Sequence, residues 1–109
     1  MFENVKITKL DNGACVATSA MKGSNVCRLG FHIPMGSRRE KALEAGWSHF
    51  AEHMILRGSE KYPSQKIINR ILGRFGGHKN AETSGLWTSF YAHIPAYGIE
   101  KTLANWNKM

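Results

Sequence analysis

Cysteine is scarce in this chain of 109 residues: Cys15 and Cys27 are its only two. Neither belongs to a C-x-x-C knuckle, and two thiols do not demand a disulfide framework. Reduced, structural cysteines are the default. A cross-strand disulfide stays open, because both fall in strand-like segments that would pair.

Long apolar runs are missing as well, so no segment is expected to span a bilayer. The opening MFENVKITKL has no apolar stretch followed by a small-residue cleavage site. The expectation is a soluble chain without a classical secretion signal, compatible with the cytoplasm.

Acidic residues are few, 8 against 15 Lys plus Arg, for a formal charge of +7. The basic residues are dispersed from Lys6 to Lys108, with no run longer than Arg38-Arg39. With no groove-reading motif and no basic stripe interleaved with aromatics, nucleic-acid binding is not expected. Internal repeats and low-complexity tracts are also absent. A hydrophobic content of 42% over this length suits one domain with one core.

What is present reads as alternating short elements. Val5 to Leu10 and Ala14 to Ala20 flank Asp11-Asn12-Gly13, and Asn-Gly supplies the positive φ angles of a two-residue hairpin turn. Val26, Leu29, Phe31 and Ile33 suggest a third strand ending at Pro34, giving an antiparallel three-stranded start. From Lys41 the period changes: Leu43, Trp47, Phe50 and Met54 form one face of a helix running to Leu56 and stopped by Gly58. Ser64 is a natural N-cap for a second helix with the stripe Ile67, Ile68, Ile71, Leu72 and Phe75, ended by Gly76-Gly77. Trp87 to Ile94 read as a strand closed by Pro95. Ile99, Leu103 and Trp106 then mark an amphipathic helix. The fold class is α+β, a largely antiparallel sheet with helices packed on one face. Trp47, Phe50 and Trp87 are expected in the core.

The stretch HFAEH, His49 to His53, is the chemical signal. On a helix, residues four apart share a face, so the two imidazoles can aim at one zinc ion. The same spacing is equally met by two ordinary surface histidines. Glu52 shifts the balance, because His49, Glu52 and His53 satisfy the inverted-zincin signature H-x-x-E-H at every position. Its carboxylate is better placed to take a proton from water than to serve as a third ligand. His32, His78 and His93 lie outside the motif and are read as surface or packing residues.

Longer stretches carry more than the motif. LGFHIPMGSRREKALEAGWSHFAEHMILRGSEKYP resembles the first half of the N-terminal domain of the pitrilysin/insulinase/mitochondrial processing peptidase family. GGHKNAETSGLWTSFYAHI resembles that family's following segment, and ITKLDNGACVATSAM its first hairpin. Together they cover nearly the whole chain in the family's order. The resemblance implies that His49 and His53 bind Zn2+, that Glu52 is the general base of peptide hydrolysis, and that Asn80 and Ala81 lie where an edge strand receives an extended peptide. Read from the residues alone, Asn80 is equally a turn residue after Gly76-Gly77.

The family completes its zinc site with a glutamate several tens of residues beyond the second histidine, past Met109. Residues 1–109 are therefore expected to form a single, truncated N-terminal portion of a peptidase domain, ending in NWNKM within a helix. The expected function is that of a zinc-dependent endopeptidase. The alternative is a catalytically incomplete fragment or a non-catalytic assembly subunit. In either case a second domain, a partner subunit or another copy of the chain is the expected partner, besides the peptide. Glu60, Glu82, water or a second copy are the substitutes open for the third ligand.

Overall fold

The computed structural model describes residues 4–106, with side chains as far as Ala104. The side chain of Trp106, expected to end the last apolar stripe, and Asn107 to Met109, read as the truncated end, lie outside the described residues.

The chain runs through β1 (Lys6–Lys9), β2 (Cys15–Thr18), β3 (Val26–Ile33), α1 (Trp47–Arg57), α2 (Gln65–Gly73), β4 (His78–Thr83), β5 (Thr88–Pro95) and α3 (Ile99–Trp106). The expected element order and the α+β class hold. Strand pairing differs from expectation at the start. β1 and β2 form a two-stranded hairpin of their own, while β3 joins a separate antiparallel sheet in the order β3-β5-β4. The reason lies in the side chains. Both hairpin strands are exposed throughout, and Ile7 pairs with Ala17 within the hairpin. On β3, by contrast, Cys27, Leu29, Phe31 and Ile33 align with Ile94, Ala92, Phe90 and Thr88 of β5. Cys15 and Cys27 thus belong to different sheets, and both are free thiols.

The hairpin turn also departs from the two-residue form. The Leu10 amide donates to the Ala14 carbonyl at 2.8 Å and the Gly13 amide to the Leu10 carbonyl at 2.9 Å, so three residues form the loop. Gly13 takes the positive φ of 86° that such a loop requires in its last position.

β5 is the spine of the larger sheet. Its residues Phe90, Ala92 and Ile94 are buried, and Ala92 and Ile94 meet Leu72 of α2, whose Ile68 is also buried. Leu72, Ala92 and Ile94 form the core cluster, with Cys27 and Ile99 packed against it. Leu72 and Ile94 each contribute about 1.5–3 kcal/mol by burial there. Ser64 caps α2 as expected, its side chain accepting from the Ile67 amide.

The first helix is shorter than its periodicity predicts. Two 3-10 turns, Ser37–Arg39 and Ala42–Glu44, precede it, and α1 begins only at Trp47. Gly46 interrupts the run with φ of 91°, a left-handed conformation that glycine adopts at little cost. The apolar stripe faces outward: Leu43 is 98% exposed, Trp47 66% and Phe50 63%. Met54 and Trp87 are exposed too, so the expected core role of Trp47, Phe50 and Trp87 does not hold. α1 instead buries Ser48 and Glu52. Hydrophobic periodicity located the helix but pointed to the wrong side.

Candidate metal centre on the first helix

Glu40 sets the entry to α1. Its Oε2 accepts from the Gly46 amide and its Oε1 from the Ser48 amide, each at 2.7 Å. These are amides that a helix start leaves without intrahelical partners. The neighbouring Ser48 side chain, the Ser48 amide and the Gly46 amide hold the Glu40 carboxyl below its ordinary value. Anchored this way, α1 crosses β4 and β5 and brings His49, Glu52 and His53 together.

The Nε2 atoms of His49 and His53 face each other at 2.9 Å, with ring centroids 4.5 Å apart and planes at 76°. Two imidazole nitrogens on one tetrahedral zinc, each about 2.0–2.1 Å from the ion, are roughly 3.3 Å apart. The pair fits two positions of such an ion after a small side-chain adjustment. Both residues are exposed, so an ion has access from solvent.

Glu52 is 6% exposed. Its Oε2 lies 3.9 Å from His49 Nδ1 and accepts a hydrogen bond from the Thr83 hydroxyl at 2.5 Å. A buried carboxylate is costly unless hydrogen-bonded, and Thr83, at the end of β4, meets that need. Nothing in the local pattern singles out Thr83. Only the register, which pairs Thr83 with Thr88, turns it toward α1.

Alternation along β4 places Lys79 and Ala81 on the same face as Thr83, and His78, Asn80 and Glu82 on the other. Burial lowers the Lys79 pKa. Among the described residues no group of three His, Cys, Asp or Glu is arranged to hold a metal ion by itself. Glu82 lies on the opposite face of the sheet from His49 and His53, and neither it nor Glu60 makes a third ligand with the pair.

Asn80 and Ala81 are strand residues of β4 rather than turn residues. Asn80 Oδ1 accepts from the Ala81 amide at 2.9 Å, and Asn80 Nδ2 donates to the Tyr91 hydroxyl at 3.4 Å. β4 is an edge of its sheet, hydrogen-bonded only to β5 among the described residues.

A family model described as insulinase, peptidase family M16, matches residues 15–109. An uncharacterized zinc protease of Rickettsia felis is 35% identical over 103 residues, covering 94% of this chain and 25% of that protein. The probable mitochondrial-processing peptidase subunit beta of Arabidopsis thaliana is 33% identical over 98 residues, covering 90% of this chain and 18% of its own. A protease from Helicobacter pylori superposes with a TM-score of 0.87 at 24% identity, over 94% of this chain and 25% of that one, a likeness of fold. The chain thus spans about a quarter or less of these relatives.

Proposed function

This chain belongs to the insulinase family of peptidases, peptidase family M16, and on that footing we propose that it forms one part of a zinc endopeptidase active site. His49 and His53 are the two zinc ligands it contributes, and Glu52 is the general base. The observation that carries the reading is the convergence of the His49 and His53 Nε2 atoms at 2.9 Å beside the buried carboxylate of Glu52.

When bound, zinc supplies Lewis acidity that makes water a stronger acid and a scissile carbonyl more electrophilic. The residues of the chain do the rest. Glu52 takes a proton from water as the oxygen adds to the carbonyl carbon, and delivers that proton to the amine nitrogen as the C–N bond breaks. Thr83 holds the Glu52 side chain in place through its hydrogen bond. Asn80 and Ala81 receive the substrate along the β4 edge. An extended peptide adds there as a further strand, which gives affinity through main-chain hydrogen bonds for many sequences.

Residues 1–109 act as a portion of a larger peptidase domain. The third zinc ligand, and the surface that closes over the peptide, come from a second domain, a partner subunit or another copy. The exposed stripe of Leu43, Trp47, Phe50 and Met54 supports this reading, since large adjoining apolar side chains on a surface mark an interaction face. Among the described residues no helix is long and apolar enough to cross a membrane.

The test is Glu52→Gln in the full chain. Zinc content stays at the wild-type level while hydrolysis of an unstructured peptide is lost. Hydrolysis at the wild-type rate would falsify the general-base role. His49→Ala and His53→Ala should each lose zinc.

A further inference from the structure

We propose that His78 and His93 form a second site for a divalent transition metal, on the sheet face opposite α1. His78 of β4 and His93 of β5 are directly opposed in the ladder. Their spacing is therefore set by backbone pairing rather than by a loop. The two rings turn toward each other: His78 Nε2 and His93 Nδ1 are 3.2 Å apart, with centroids separated by 4.9 Å. That nitrogen separation is close to the roughly 3.3 Å between two imidazole donors on one tetrahedral ion. A metal here takes the place of the proton the two rings otherwise share.

Strand alternation separates this pair from the zinc ligands. Thr83 reaches Glu52 on the helix side, so His78, an odd number of residues away on β4, projects from the other side. The sheet itself lies between the two histidine pairs.

The surroundings hold the His93 ring. Tyr91 meets it edge-on, with centroids 5.7 Å apart, and Arg28 stacks its guanidinium over Tyr91 at 4.5 Å. Hard cations such as Mg2+ and Ca2+ need oxygen ligands, which the two imidazole rings do not supply. Neutral imidazole nitrogens favour Cu2+, Ni2+ and Zn2+, with Cu2+ bound most tightly. His78 is exposed and His93 half-buried, so water completes the coordination sphere. With two protein donors the site exchanges its ion readily. When occupied, it clamps edge strand β4 to β5.

The experiment titrates the His49→Ala/His53→Ala double variant, in which the first histidine pair can no longer take copper, with Cu2+ and follows it by electron paramagnetic resonance. The expected result is one equivalent of copper with a two-nitrogen hyperfine pattern. That signal disappears when His78→Ala or His93→Gln is added to the same background. His78 is exposed on an edge strand, so its replacement leaves the fold intact, which circular dichroism verifies. Copper binding left unchanged by both His78→Ala and His93→Gln in that background overturns the proposal. So does a double variant that gives no copper signal.

Discussion

The Thr83 hydroxyl donates to Glu52 Oε2 at 2.5 Å, joining the end of β4 to the buried face of α1. This bond is the point at which the sheet holds the carboxylate of the H-x-x-E-H motif. Thr83→Val keeps the shape and removes the donor, leaving a carboxylate with 6% exposure short of a partner. The expected cost is about 1–3 kcal/mol of stability, read from urea unfolding, together with slower peptide hydrolysis at unchanged zinc content. A Thr83→Val protein as stable as the wild type would show that the bond contributes nothing.

Glu40 gives a pH dependence whose sign follows from its lowered pKa. A carboxyl held below its ordinary value in the folded protein stabilises it above that value, and the contribution is lost as pH falls through the folded pKa. Glu40→Gln removes the effect. The thermal midpoints of variant and wild type should differ at neutral pH and converge as the pH falls through the lowered Glu40 pKa. Parallel curves over the whole range would assign the anchoring of α1 to something other than the ionised carboxylate.

Gly36 is buried where residues 36–38 dock on the β4–β5 turn, with the Ser37 amide donating to the Ser84 carbonyl at 3.1 Å and the Arg38 amide to the Gly85 carbonyl at 2.9 Å. A Cβ at position 36 would overlap the Ser84 carbonyl oxygen and come within 2.8 Å of the Gly85 carbonyl carbon and the Trp87 amide nitrogen. These are backbone atoms, so relief requires the loop to lift. Gly36→Ala is expected to destabilise by roughly 1–3 kcal/mol, measured as a shift in the denaturation midpoint. An unshifted midpoint would mean that this docking is loose.

Phe50 tests the outward stripe. If Trp47, Phe50 and Met54 form a face covered by another part of the peptidase or by a partner, the stretch 1–109 alone should self-associate through it. Phe50→Ser is then expected to lower the sedimentation coefficient while changing stability by no more than about 0.5 kcal/mol, as for other exposed positions. A core role for Phe50 would instead give a much larger loss of stability.

How far the sequence reached differs from element to element. Ser64 followed by Ile67, Ile68, Ile71 and Leu72 is a local statement, a cap and an amphipathic period, and the structure keeps it. The strand Val26–Ile33 and its end at Pro34 were legible for the same reason. His49, Glu52 and His53 needed only helical spacing to come together, so the H-x-x-E-H pattern was visible before any fold was known.

What only the tertiary structure decided were the relations between elements. Period alone cannot say which side of α1 meets the sheet. The apolar side was the natural choice, yet the structure buries Ser48 and Glu52 and leaves Trp47 and Phe50 outside. Strand pairing was equally undetermined, because β3 could join the hairpin beside it or β5 far along the chain. Matching apolar faces chose β5. That choice placed Thr83 against Glu52 and His78 against His93. No local rule encodes those contacts, because each depends on the register between segments that meet only when the chain folds.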